Sequence, residues 1–332
     1  MKLWLRKHIM SFNFIFLLIV TFTITADECN AQPKPRHLEE ISFDFQRDKL
    51  IVFGGSEIHV DGFTDPTGVF ELGSEGWVQI NANGPVGRRG HAMIYHKRDK
   101  LTYLFAGVTV TIKDSLLFDT WSWDGVAWQQ LDIQCPVKNP AGVFDSRNNS
   151  ILIYGDASDK QREAYGDEQV FQLWQFKDHN WNLISDSGPR PEGPYEMSFD
   201  VKRATVVIPV WNNGKLVVWE WAGNTWRQIS CTSECPPARN RFGLTYSSSE
   251  GLTYLFGGRD PLDRNKFLAD FWSWDGSRWK RVRSGDVPSA RAGLCLEDSS
   301  SGIILYGGVV FNDGKSEVTN ELWRWDGESW SK

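Results

Sequence analysis

The stretch Asp119-Thr120-Trp121-Ser122-Trp123-Asp124-Gly125-Val126-Ala127-Trp128 returns as Asp270-Phe271-Trp272-Ser273-Trp274-Asp275-Gly276-Ser277-Arg278-Trp279. In each copy two tryptophans separated by one residue share a face of an extended strand, because strand side chains alternate. The Asp-Gly pair then reverses the chain, since both residues tolerate the left-handed backbone of a tight hairpin turn. The third tryptophan opens the returning strand and faces the second as a cross-strand pair. The stretch is a β-hairpin cemented by indoles.

Working outward, the closing tryptophan recurs six times, as Trp77, Trp128, Trp181, Trp226, Trp279 and Trp330, at intervals of 51, 53, 45, 53 and 51 residues. Repeat two adds Arg88-Arg89-Gly90-His91-Ala92-Met93-Ile94-Tyr95, a polar turn and Leu101 to Gly107 ahead of its hairpin. Repeat five adds Arg239 to Tyr246 and Leu252 to Gly258, with Leu-Thr-Tyr-Leu-Phe identical in both. Short apolar runs rich in β-branched and aromatic residues, bounded by turn residues, read as strands a, b, c and d. The glycine pairs Gly54-Gly55, Gly257-Gly258 and Gly307-Gly308 end strand b where the backbone turns without a Cβ. A repeat of roughly fifty residues carrying four strands is the mark of a β-propeller with one blade per repeat. The blades are expected at about 37–80, 85–131, 136–184, 191–229, 236–282 and 288–332, within a single domain over 32–332. The six closing indoles are expected between neighbouring blades, where each buries about 200 Å². Complete blades imply that closure rests on side-chain packing between the first and the last.

Composition agrees with a folded domain: 41% hydrophobic and 23% charged, with 17 tryptophans, nearly all of which the repeat accounts for. A net charge of −6, with no basic stretch interleaved with aromatics, argues against a nucleic-acid partner. Lys2, Arg6 and Lys7 precede an apolar run from Ile9 to about Thr25, followed by Asp27, Glu28 and Cys29-Asn30-Ala31. Residues 1–31 therefore read as a signal peptide cleaved before Gln32, with an uncleaved anchor as the alternative. The mature chain carries no further span and is expected to be secreted, periplasmic or held at the cell envelope. Cys231 and Cys235 lie in one inter-blade loop and are expected to form a disulfide in such a compartment. No second pair has the spacing for a four-ligand site, so no metal is expected. Cys295 sits in a strand pattern and reads as a buried thiol.

An arginine before strand a, a glycine pair after strand b and tryptophans in strands c and d resemble the Kelch repeat. The Asp-Thr-Trp-Ser-Trp-Asp-Gly wording is similar to bacterial Kelch proteins related to the galactose-oxidase propeller. The resemblance covers most of the chain and implies an all-β, six-bladed Kelch-type β-propeller with four antiparallel strands per blade. The functions it implies range over binding modules, sugar oxidases and sugar epimerases. The oxidases' copper site needs two tyrosines, two histidines and a thioether-forming cysteine in specific loops, and these are not found here. No cofactor is expected.

The b–c connections, at about 56–67, 108–117, 156–168, 259–269 and 309–319, read as long irregular loops on the face where strand a begins. Loops on a rigid scaffold are where binding resides. The residues opening strand a would ring the channel mouth: Arg88, Arg89 and His91, Arg239 and Arg241, and Arg291. Blade four adds Glu192, Tyr195 and Glu196. Guanidinium forks match a carboxylate or phosphate. Arg88, Arg239 and Arg291 follow the repeat, so they read equally well as braces on backbone carbonyls. Arg89, Arg241 and His91 break it and are the stronger candidates for ligand contact. No hydrolase elbow, zinc-binding helix or phosphate-cradling loop is present.

The leading expectation is thus an exported, monomeric, non-enzymatic module binding a protein or glycan through this face. The alternative is a sugar-acid epimerase or mutarotase, in which His91 or Glu196 moves a proton while Arg89 and Arg241 hold the carboxylate. One feature separates them: an enzyme needs Arg89, Arg241, Glu196 and His91 to converge on one substrate position.

Overall fold

The alternating apolar runs form strands throughout, and no helix occurs among the described residues. The computed structural model describes residues 32–332, apart from 60–61, 81, 111–114, 159–168, 213, 232–233 and 313. The segment read as a signal peptide lies outside the described residues.

Six antiparallel sheets follow one another along the chain, each taking its four main strands in sequence order. Sheet two shows the unit: Ala92–His96, Leu101–Thr109, Ser115–Trp123 and Trp128–Gln134. The first strands of the others are His37–Asp44, Val137–Asp145, Ser198–Asp200, Gly243–Ser247 and Cys295–Ser299. In sheets one and two the b–c connections are extended hairpins, not the irregular loops read from sequence. Gly62–Thr64 folds back on Lys49–His59, and Leu101–Thr109 pairs on to Ser115. In sheet six, Val309–Asn312, Lys315–Val318 and Arg291–Ala292 make a separate three-stranded sheet.

Within a sheet, Trp123 stands directly opposite Trp128 with ring centroids 5.3 Å apart, and Trp274 opposite Trp279 at 5.2 Å. Between sheets, at five of the six junctions, the tryptophan of strand d reaches an aromatic ring on strand b of the sheet before; Trp279 instead packs with the aliphatic Val207. Trp128 meets Phe53 at 5.4 Å, Trp181 meets Phe105 at 5.3 Å, Trp226 meets Tyr154 at 5.3 Å and Trp330 meets Phe256 at 5.7 Å. Trp77 meets Tyr306 at 5.7 Å, which brings the first sheet against the last. The first strands of the six sheets touch in sequence, and the sixth touches the first, so the contacts form a closed cycle. No main sheet borrows a strand from the other terminus. Beside Trp77, the Cys295 thiol donates to the Glu39 carbonyl at 3.1 Å and the Phe43 N–H to Glu297 at 3.4 Å across the same junction.

A second repeated contact fixes each approach to strand a. Arg88 is fully buried; it donates to the Ala106 carbonyl at 2.9 Å and grips both oxygens of Asp119 at 2.5 and 2.9 Å. Asp119 also accepts the Trp121 indole N–H at 2.7 Å. Arg239 repeats this with Gly257, Asp270 and Trp272, and Arg291 with Gly307, Glu321 and Trp323. Buried charges are tolerated only where every donor finds an acceptor in such geometry.

Trp128→Ala removes a ring shared by two sheets, and the expected loss of stability is about 3–5 kcal/mol, as for a large core truncation. Chemical denaturation measures it, and a midpoint equal to the wild type's would rule out the packing role.

Candidate functional site

The six first strands converge around a central space. At the end where they begin, a cavity of about 650 Å³ opens. Sheet two lines it with Arg89 and His91, sheet four with Glu192, Tyr195 and Glu196, and sheet five with Arg241. Three residues the sequence reading did not single out join them: Leu38 and Glu40 from sheet one, and Asn139 from sheet three. A narrower space of about 300 Å³ shares Glu40 and Glu196 and runs on past Cys295 and Glu297 to Lys97. Arg88, Arg239 and Arg291 line neither space, being buried in their own sheets.

Register explains Glu40. Ser42 pairs with Ile51, which pairs with Glu71; Ser198 pairs with Val207, which pairs with Glu220. Glu71 and Glu220 each accept an indole N–H from the following sheet, Trp123 at 3.1 Å and Trp274 at 3.0 Å. Ser42 and Ser198 therefore hold equivalent places, and so do Glu40 and Glu196, two residues earlier. Sheets one and four are three steps apart in the cycle, so these carboxyls approach the axis from opposite sides. The signal was present in Arg36-His37-Leu38-Glu39-Glu40, which matches Arg88 to Ala92, but repeat one is too loose for the match to stand out.

The two mouth arginines differ. Arg89 is anchored: its Nη1 lies 3.4 Å from the Ser56 hydroxyl and 3.5 Å from Asp65. Asp65 is itself held by the Ser56 hydroxyl at 2.6 Å and the Val110 N–H at 2.7 Å. The Arg241 carbonyl accepts the Gly293 N–H at 2.7 Å, but its guanidinium has no hydrogen bond or ion pair with any described residue. Burial lowers its pKa, and the neighbouring Arg259 lowers it further. It is a desolvated cation whose charge is unmatched, the condition in which an incoming anion is held best.

The carboxyls are tuned the other way. Glu40 and Glu196 are half-buried, each with some surface on the lumen, but the surrounding sheets enclose that lumen. Burial pushes Glu196 up to about 8. It pushes Glu40 well above the usual carboxylate range, and Glu196, Glu39 and Glu297 add to the rise. Two like charges facing one low-dielectric space cannot both ionise cheaply, so near neutral pH the pair holds on to a proton. Glu297, deeper in the channel, is also raised to about 8 by burial and then by Asp298.

His91 is 1% exposed, its ring stands edge-on to Phe53 at 5.7 Å, and neither nitrogen has a hydrogen-bond partner among the described residues. Burial, then the Arg88 charge, brings it down to about 3. Its imidazole is neutral across the physiological range. The Tyr195 hydroxyl lies 3.1 Å from the Tyr154 carbonyl and 3.3 Å from that of Asn139, and burial pushes its pKa up. Cys231 and Cys235 form a disulfide in the connection that leads to Arg239 and Arg241. Among the described residues no group of three or more His, Cys, Asp or Glu side chains is placed to hold a metal ion, and no helix is long and apolar enough to cross a membrane.

No family model matches the chain, and no curated protein sequence does. Among solved structures YjhT is similar over 91% of this chain and 99% of its own, with a TM-score of 0.65 and 15% sequence identity. The fold is a β-propeller. Identity this low carries the likeness no further than the architecture.

The raised carboxyls make stability depend on pH. An unfolded glutamate titrates near about 4.3, whereas Glu196 and Glu297 titrate at about 8 in the folded chain. The folded state thus binds their protons more tightly, and their contribution, complete below the unfolded value, is lost as pH climbs towards the folded one. Thermal melting from pH 5 to 8.5 is expected to show a smaller decline in Glu196→Gln than in the wild type. Parallel curves would mean that Glu196 ionises as an ordinary carboxylate.

Proposed function

We propose that this chain is an exported, six-bladed Kelch-type propeller that acts as a mutarotase on a carboxylated sugar. One observation carries the reading. A cation without a partner among the described residues, Arg241, shares a cavity with two carboxyls, Glu40 and Glu196, that hold a proton between them near neutral pH. An interaction surface has no use for protonated acids around an enclosed channel, and the convergence favours the enzyme over the binding module. The cycle of first-strand contacts supports six blades, and the disulfide supports an oxidising compartment.

Arg241, with Arg89 on the opposite side of the mouth, receives the substrate carboxylate and directs the anomeric centre down towards the two glutamates. The ionised member of the pair takes the proton of the anomeric hydroxyl. The protonated member gives its proton to the ring oxygen as the ring carbon–oxygen bond breaks and the carbonyl forms. A half-turn of that carbonyl about the neighbouring carbon–carbon bond, followed by the reverse proton transfers, closes the ring on its other face. Atoms and charges balance within the site, with no oxidation and no leaving group. A carboxyl whose pKa lies near the working pH serves equally as acid and base. His91, neutral and without access, takes no part; Tyr195 is a wall of the cavity.

A freshly dissolved single anomer of a sugar acid, followed by polarimetry or proton NMR, tests the proposal. The wild type is expected to speed the approach to anomeric equilibrium for a sugar acid and not for its neutral counterpart. Glu40→Gln and Glu196→Gln are each expected to slow it by roughly 10²–10⁴-fold, the usual contribution of a positioned acid or base. Arg241→Ala is expected to act chiefly on KM. No acceleration across a panel of sugar acids would return the chain to the interaction-module reading.

A further inference from the structure

The entry to the first strands repeats an unusual backbone. Leu38, Gly90, Asn139, Arg241 and Gly293 all lie in the left-handed region, at φ of 58°, 57°, 46°, 55° and 63°. Each stands two residues before the strand-a residue that pairs with the ring near the end of strand b: Glu40 with Phe53, Ala92 with Phe105, Ala141 with Tyr154, Gly243 with Phe256 and Cys295 with Tyr306. The corresponding place in sheet four is Pro194. Sheets two and six use glycine, which adopts this conformation freely. A leucine or an arginine there is strained, and an asparagine somewhat less so.

Strain in a repeated element persists only where something holds it. Packing does not require a side chain here, because a Cβ built on Gly90 meets nothing within 4 Å. At Gly90 the position faces open space, and at Gly293 a Cβ would meet only the Leu38 side chain, at 3.8 Å. The side chains of Asn139 and Arg241 make no hydrogen bond with any described residue. Leu38, Asn139 and Arg241 all line the mouth cavity. Around the cycle they come from sheets one, three and five, with Gly90, Pro194 and Gly293 between them. Three side chains on alternate sheets line the cavity, and the places between them hold two glycines and a proline.

We propose that Leu38, Asn139 and Arg241 are a three-point specificity collar, kept in a strained backbone because their side chains read the ligand. This rests on the sugar-acid reading of the cavity and extends it. Arg241 takes the carboxylate, Asn139 exchanges hydrogen bonds with a ring hydroxyl, and Leu38 covers an apolar face of the sugar ring. Three separate contacts fix one orientation of a chiral ring, which places the anomeric carbon over Glu40 and Glu196 and distinguishes epimers. Leu38 and Asn139 are specificity residues; they take no proton.

Single variants Leu38→Gly, Asn139→Gly and Arg241→Gly of the whole chain test the collar through two readouts. Without ligand, each is expected to melt within a few degrees of the wild type, because glycine relieves the left-handed strain and offsets the chain entropy it adds. Calorimetry with D-galacturonate and D-glucuronate, which differ at one hydroxyl, reads recognition. Arg241→Gly is expected to weaken both by roughly tenfold or more, as for loss of a charge-assisted pair. Asn139→Gly and Leu38→Gly are expected to weaken binding several-fold and to narrow the preference between the two sugars. A large fall in melting temperature would make the three residues structural and overturn the collar, as would unchanged affinity and preference in the glycine variants. A wild type that binds neither uronate would instead sink the sugar-acid reading, and with it the ligand roles given to the collar.

Discussion

The architecture hangs on the contact between the closing tryptophan of one sheet and the strand-b ring of the sheet before it. The contact is local in chemistry and global in consequence. Repeated along the chain it sets the angle between neighbours, and at Trp77 and Tyr306 it returns the last sheet to the first. Once the sheets close on themselves, their first strands have no place to run except around a common axis. The channel follows from that closure.

Charge is handled in two opposite ways at the channel entrance. Arg88, Arg239 and Arg291 are buried with every fork engaged by a carboxylate and a carbonyl, so they stiffen the approach to strand a and have little left for a ligand. Arg89 and Arg241 follow one and two residues later, and their chain positions carry them to the mouth. Arg89 keeps an acidic neighbour, which orients it, whereas the Arg241 guanidinium has no partner among the described residues. Below them Glu40 and Glu196 meet across a lumen too enclosed for two carboxylates, and burial pushes both up, Glu196 to about 8. The same four side chains on an open loop surface would be ordinary ions in water.

Much of this was legible in the chain. The Trp-Ser-Trp-Asp-Gly hairpins, the glycine pairs and the repeat interval led to an all-β propeller, and repetition itself separated Arg88 from Arg89 and Arg239 from Arg241. The cavity brings Arg89, Arg241, Tyr195 and Glu196 to one lining. His91 shows the limit of the repeat as a guide. It breaks the repeat, as a functional residue does, but it lies against Phe53 with its nitrogens out of solvent, and that environment keeps it neutral. Glu40 shows the converse: the least regular repeat hid a carboxyl whose importance comes from its opposite number in sheet four. Loops that look irregular in composition proved to be hairpins, because backbone pairing is available to polar residues as well.

The sequence alone determined the strands, their turns and the disulfide loop, since alternation, tight turns and a short cysteine spacing are properties of neighbouring residues. It also determined that the blades are alike, because a period is visible without coordinates. Only the tertiary structure decided which carboxyls face each other, which arginine lacks a partner and which left-handed residues share one mouth. Those facts depend on groups brought together from distant parts of the chain, and on the low-dielectric space between them, which exists only after the sheets have closed.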